Sequence, residues 1–137
     1  GLIYKLAPMD EKMRKLSNVR KLWSGILDQH EVRDVFTGRP VAAKKYDRGI
    51  LICGTGIGVS IAANKVKGAY AALITDIYSA KRARLSNDAN IACLGAFTLG
   101  DKLREELVDA FLSHEFIPGC SSQPKVDAYV AYDSERN

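Results

Sequence analysis

The sequence predicts an α/β fold in which a mostly parallel sheet lies between layers of helices. From residue 48 onward, short apolar runs alternate with helix-like segments, and short glycine-rich or polar loops separate them. This alternation is typical of βαβ units, whose right-handed crossovers place helices on both faces of a sheet. The length of 137 residues and the hydrophobic content of 47% suit a single domain with a substantial core.

The elements of the second part of the chain follow from apolar runs and from helix boundary signals. Apolar runs at 50–53, 69–75 and 91–94 predict buried strands. Helices are predicted at 59–66, 77–85, 101–114 and 123–134. Gly68 is a helix-closing residue, and Asp76 is a predicted N-cap. The predicted carboxyl ends of the strands should meet at one edge of the sheet, where ligands of such folds bind.

The first part of the chain has a different pattern. Apolar residues recur every three or four positions from Met13 to Leu27, which predicts an amphipathic helix over about 10–28. Residues 32–36 are interpreted as a short strand or the start of a turn, 37–40 as a turn, and 41–45 as one or two helical turns. We therefore predict one domain over 1–137, with an N-terminal segment at 1–47 and a core at 48–134.

Charge and cysteine content limit the class of protein. The net charge is +4, and residues 1–50 hold eleven Lys/Arg against six Asp/Glu. A basic N-terminal part suits a phosphorylated ligand, a nucleic acid or a solvated surface. The chain has no zinc-finger spacing and no interleaved aromatic and basic residues, so nucleic acid is the least favoured partner. Three cysteines without a C-x-x-C motif favour free thiols in a reducing compartment, and we expect a cytoplasmic location and no membrane partner.

Residues 53–58, Cys-Gly-Thr-Gly-Ile-Gly, join the first predicted strand of the core to a helix. Backbone N–H groups converge at such a turn, and the helix dipole favours negative charge there. The spacing differs from G-x-G-x-x-G, from the P-loop and from the G-x-S-x-G elbow, so dinucleotide binding, P-loop chemistry and hydrolysis are not supported. The turn is an anion-binding feature with a thiol, Cys53, on its rim.

The chemistry of Cys53 stays open at this point. A thiolate stabilised by the helix N-terminus could act as a nucleophile or a general base, and the thiol could also be purely structural. No histidine is close to Cys53 in sequence, since the two histidines are His30 and His114. His30 lies in a predicted loop. His114 ends a predicted helix, where an imidazolium interacts favourably with the helix dipole. Proton transfer next to a carbonyl needs only a thiolate and donors for the enediolate oxygens, which the turn can supply.

The block at 50–65, ILICGTGIGVSIAANK, resembles the signature of the type B ribose-5-phosphate isomerases, a family that includes the galactose-6-phosphate isomerase subunits. The likeness continues through 78–80, 86–90 and 94–95. It implies a three-layer α/β/α Rossmann-like fold and a homodimer or dimer of dimers whose active site is shared between subunits. It also implies aldose–ketose isomerisation of a phosphosugar without metal or other cofactor.

The resemblance assigns roles to particular residues. Cys53 would be the base, and Thr55 would assist at the sugar oxygens. The turn would bind the enediolate, Asn87 would contact the sugar and Lys125 the phosphate. The turn residues in question are Gly54, Gly56, Ile57 and Gly58.

The chain also departs from the family's pattern. Ser86 stands where the family usually has a ring-opening histidine, and Ser121 where it has a phosphate-binding arginine. No N-terminal strand ending in Asp-His or Asp-Glu is found, so the family's first strand is expected to be missing or replaced, and Arg33 or Arg39 of a partner chain could hold phosphate. Two hypotheses follow: conversion of ribose 5-phosphate to ribulose 5-phosphate through a cis-enediolate, or a non-catalytic sugar-phosphate-binding homologue or partner subunit of a heteromeric isomerase.

Overall fold

The computed structural model describes the backbone of residues 3–7, and residues 41, 44 and 47–136. The strands are β1 (Ile3–Ala7), β2 (Arg48–Cys53), β3 (Ala71–Leu73) and β4 (Ile91–Gly95). The helices are α1 (Ile57–Asn64), α2 (Ile77–Leu85), α3 (Asp101–Leu112) and α4 (Gln123–Ser134). From β2 onward, strands and helices occur in the predicted order.

The strands form one sheet in the order β1-β2-β4-β3. The strands β2, β4 and β3 are parallel, and β1 pairs with β2 in the antiparallel direction. The predicted mostly parallel sheet is thus confirmed. Parallel pairing sets Cys53 opposite Gly95, so the carboxyl ends of β2 and β4 meet at the same edge.

Each face of the sheet carries its own core, because successive side chains of a strand point to opposite faces. Ile50, Ile52 and Leu94 face α2 and α3, in a cluster that includes Phe111. Leu51 and Cys93 face the other way, in a cluster with Val59 and Ala63 of α1. Helices therefore cover both faces of the sheet, as predicted.

The strand β1 was not predicted. A five-residue run of mixed apolar and polar residues has too little periodicity to be assigned on its own. The predicted helix at 10–28 and the elements at 32–36 and 37–40 lie outside the described residues, as do Arg33, Arg39 and His30. Within 41–45, Val41 is helical and buried, and it accepts a hydrogen bond from the Lys44 N–H at 3.0 Å.

Element boundaries differ from the prediction by a few residues. Helix α1 begins at Ile57 rather than 59, because Gly56, with φ +80°, turns the chain directly into the helix. Strand β3 is shorter than 69–75, and the Tyr70 N–H is bound by the side chain of Asn90 at 2.8 Å. The predicted N-cap is confirmed, since Asp76 Oδ1 accepts the Ser79 N–H at 2.7 Å.

Arg48, the first residue of β2, fastens the end of α3 to the sheet. Its side chain is 2% exposed, and its Nη1 donates to the carbonyls of Phe111 and Leu112 at 2.8 and 3.0 Å. Its Nη2 lies 2.9 Å from Glu115 Oε1. The last carbonyls of a helix have no partner within the helix, so a buried cation there satisfies them and opposes the negative end of the dipole.

We expect Arg48→Met to lower the free energy of unfolding by about 2–4 kcal/mol, because buried carbonyls of α3 lose their charged donor. Urea denaturation followed by circular dichroism measures this. Lys102→Met, on the exposed surface of α3, is the control and should change stability by less than about 0.5 kcal/mol. An Arg48→Met protein as stable as the control would contradict the anchoring role.

Candidate active site

The turn between β2 and α1 is held against the segment that follows β4. The Cys53 carbonyl accepts the Ala96 N–H at 2.7 Å, and the Gly54 carbonyl accepts the Phe97 N–H at 2.9 Å. These bonds continue the pairing of β2 with β4 beyond the strands themselves. The turn is therefore fixed by two neighbouring strands.

Two glycines are required by the close packing of this turn. Gly56 has φ +80°, and a Cβ there would lie 2.7 Å from Leu73 Cδ1 and 3.0 Å from the backbone of Leu94. A Cβ at Gly95 would lie 3.0 Å from the Thr55 carbonyl. A side chain at either position would push the turn away from the sheet.

The thiol of Cys53 is surrounded by backbone donors. The Gly56 N–H donates to Cys53 Sγ at 3.2 Å. Partial burial acts to raise the pKa of Cys53, but the backbone N–H groups around the sulfur outweigh it and hold this pKa below its usual value. These N–H groups belong to Val59, Thr55, Gly56 and Gly58.

Cys93 shows what the same side chain does without these donors. It lies on the same face of the sheet as Cys53 but is fully buried in the core. Burial raises the pKa of Cys93 to about 12, so it stays a neutral thiol. Of these two cysteines, Cys53 at the end of its strand is therefore the one suited to act as a base.

Thr55, Ile57 and Gly58 form the exposed rim of the turn. Thr55 Oγ1 accepts the Ile57 N–H at 3.2 Å, which leaves the hydroxyl proton available for a ligand oxygen. A Cβ at Gly58 would meet nothing within 4 Å, so the surface beside the sulfur is open there.

Phe97 belongs to this region and was missed in the sequence. Its ring lies against Gly54, yet the residue is 88% exposed. The sequence feature that could have identified Phe97 is an aromatic residue two positions after the end of a strand, outside any helical periodicity. It gives the turn an apolar wall.

The structure separates Asn87 and Lys125 from the turn within one chain. Asn87 lies just before β4, whereas Cys53 is paired with Gly95 at the far end of that strand. Five residues of strand span about 13 Å. Lys125 is in the first turn of α4, and Tyr129 of this helix contacts the Asn87 carbonyl.

A cavity of about 500 Å³ lies along β3, and we call it the strand-edge cavity. Its lining includes Ala71–Leu73, Arg82, Asn87 and Tyr129, and it includes no residue of the turn at 53–58. The sequence-predicted site residues thus lie in two places, the turn and the amino end of β4. The sequence already indicated that these residues lie apart, because Asn87 precedes a predicted strand whereas Cys53 ends one.

Other predicted features have the following positions. His114 follows α3, and its Nδ1 lies 2.6 Å from the Ala110 carbonyl, which agrees with an end-of-helix role. Ser86 is buried at the end of α2, and Ser121 is exposed.

Within the described part of the chain, no group of three His, Cys, Asp or Glu residues could hold a metal ion. None of the helices described is long and apolar enough to cross a membrane.

The comparisons with known proteins agree with the resemblance noted in the sequence. A family model described as Ribose/Galactose Isomerase matches residues 35–129. A protein of Listeria innocua named ribose-5-P isomerase B is 53% identical over 90 residues, which are 66% of this chain and 60% of that protein. A D-erythrulose-4-phosphate isomerase of Pectobacterium atrosepticum is 50% identical over 91 residues, 66% of this chain and 59% of its own length.

A solved structure gives the same result for the fold. The ribose-5-phosphate isomerase B of Mycoplasma genitalium with bound ribulose-5-phosphate has a TM-score of 0.68 and 35% identity, covering 83% of this chain and 74% of that one. The chain spans about three fifths of the length of the two curated relatives. Because the family model matches more than half of the chain and the fold agrees, this chain belongs to the ribose/galactose isomerase family.

Proposed function

We propose that the protein interconverts an aldose phosphate and a ketose phosphate, with ribose 5-phosphate and ribulose 5-phosphate as the pair and Cys53 as the base. The observation that carries this proposal is the exposed turn whose backbone N–H groups converge on the Cys53 sulfur and lower its pKa. The substrate class is supported by two relatives, which are named for ribose-5-P and erythrulose-4-phosphate.

The reaction needs one base that moves a proton between neighbouring carbons. The Cys53 thiolate takes the proton from C2 of the open-chain aldose, the C–H electron pair forms the C1–C2 double bond, and the carbonyl oxygen becomes an oxyanion. The thiol then returns the proton to C1, while the proton of the C2 hydroxyl moves to the oxygen on C1. The product is the ketose, and the thiolate is restored.

The turn would stabilise the charge that forms in this step. Backbone N–H groups at a helix N-terminus are fixed donors, so they need no reorganisation when the oxyanion appears. The Thr55 hydroxyl can donate to a second sugar oxygen. These groups suit a cis-enediolate, in which two neighbouring oxygens lie on the same side.

We also propose that a complete site needs two chains. Asn87 and Lys125 lie at the opposite end of β4 from Cys53. One chain therefore cannot bring Cys53 and these two residues to the same small sugar. A symmetric dimer can place the amino end of one sheet beside the carboxyl end of another. A single domain over 1–137 and a cytoplasmic location stay predictions.

We expect Cys53→Ala to lower kcat at least about a hundredfold, because the base is lost and the donors remain. Formation of ribulose 5-phosphate from ribose 5-phosphate measures this. Cys120→Ala is the matched control, since Cys120 is half-buried far from the turn, with its Sγ 3.9 Å from the Leu85 carbonyl. Turnover that survives Cys53→Ala would rule out the assigned base.

Sugar-phosphate binding without turnover in the wild type would identify the non-catalytic alternative, which Ser86 and Ser121 motivate.

The pH dependence should report the thiolate. The reactive form is deprotonated, so kcat/KM should rise with pH and reach a plateau above the pKa of Cys53. Because the backbone donors lower that pKa, the midpoint should lie below that of an ordinary cysteine thiol. Rates of Cys53 alkylation by iodoacetamide over the same pH range provide an independent measurement. A midpoint at or above the usual value would contradict the role of the backbone donors.

Mixing two inactive variants tests the shared site. We expect Cys53→Ala and Asn87→Ala chains, unfolded and refolded together, to regain about a quarter of the wild-type activity, because half of the dimers are mixed and each has one intact site. Each variant refolded alone is the control. A mixture no more active than its components would show that each site is built within one chain.

A further inference from the structure

Arg82 differs from the other arginines that the structure describes. Each of those others makes an ion pair with a carboxylate; they are Arg48, Arg84, Arg104 and Arg136. No carboxylate among the described residues lies within ion-pair distance of Arg82. Its guanidinium instead contacts the Ser86 hydroxyl, four residues further along the chain.

This cation lines the strand-edge cavity together with Asn87 and Tyr129. The other charged groups of the lining neutralise each other, since Arg136 Nη1 lies 3.0 Å from Asp133 Oδ1. Arg136 is also occupied by the carbonyls of Asn64 and Lys65, at 3.2 and 2.8 Å. Among the residues that the structure describes, the cavity therefore keeps one positive charge, on Arg82, that no carboxylate balances.

The contact with Ser86 holds one end of the guanidinium, and the Arg82 side chain lines the cavity. Ser86 is buried and ends α2, so its hydroxyl is a fixed acceptor for Arg82 Nη2. A guanidinium has five N–H donors in a planar fork, and the remaining ones can bind two oxygens of a phosphoryl group. The side chain of Asn87 lines the same cavity beside Tyr129, with whose hydroxyl it interacts, and its amide group can also bind a hydroxyl of a ligand.

We propose that Arg82 binds the phosphoryl group of the ligand in the strand-edge cavity and sets the preference of the site for phosphorylated sugars. This inference rests on the proposed function for the identity of the sugar. The anion site itself stands on the cavity, its unbalanced charge and the Arg82–Ser86 contact. Arg82 is a binding residue, so its loss should weaken affinity without removing the base.

The test compares two variants that each remove one positive charge from α2 with a third that keeps the charge. Arg82→Gln removes the cation from the cavity, and Lys81→Gln removes one from the neighbouring exposed position. Arg82→Lys keeps the charge but loses the planar fork. Inorganic phosphate, titrated by calorimetry into each folded protein, is the probe, and ribose 5-phosphate kinetics give the second readout.

We expect Arg82→Gln to weaken phosphate binding and to raise the KM for ribose 5-phosphate about tenfold or more, with kcat changed much less. Lys81→Gln should match the wild type, and Arg82→Lys should lie between the two. If Arg82→Gln does not fold, the proposal would be overturned by an Arg82→Lys protein that binds inorganic phosphate with the same Kd as the wild type. Equal phosphate affinity and KM in Arg82→Gln and Lys81→Gln would overturn it as well.

The outcomes for the two proposals are separate. Turnover that depends on Cys53 but not on Arg82 removes only the anion site. Phosphate binding that depends on Arg82, in a protein without isomerase turnover, keeps the anion site and removes the proposed function.

Discussion

The parallel pairing of β2 with β4, in the register that sets Cys53 opposite Gly95, is the constraint on which the candidate site depends. It brings the turn at 53–58 against the segment after β4, where two hydrogen bonds hold it. The packing is so close that Gly56 and Gly95 admit no side chain. The geometry around the sulfur is thus set by the sheet and not by the turn alone.

The two cysteines on this face show how position controls chemistry. Burial disfavours the thiolate at both, but only Cys53 has backbone donors that outweigh the effect. These donors are part of the backbone, so their arrangement exists before any ligand binds. The lowered pKa of Cys53 is therefore a property of the fold, because the donors that cause it are backbone groups of the turn.

Much of the core could be predicted from the sequence because its signals are local. The apolar runs of β2 and β4, the glycines at 54–58 and the N-cap at Asp76 each act within a few residues. The short strand β1, the exposed ring of Phe97 and the cavity beside Arg82 depend on distant partners, which a single sequence does not specify. The roles of the site residues come from the resemblance of residues 50–65 to the family signature.

Gly58 affects both the stability of helix α1 and the access of a ligand to the Cys53 sulfur. It is the second residue of α1, its backbone is not in the left-handed region, and a Cβ there would meet nothing within 4 Å. Alanine would fit and would favour the helix, by less than the roughly 0.5–1 kcal/mol that it gives in a helix interior because Gly58 lies in the first turn. The fold therefore gains nothing from glycine at this position. What the missing methyl group leaves is bare backbone beside a thiolate, where even a small side chain would narrow the approach of a sugar.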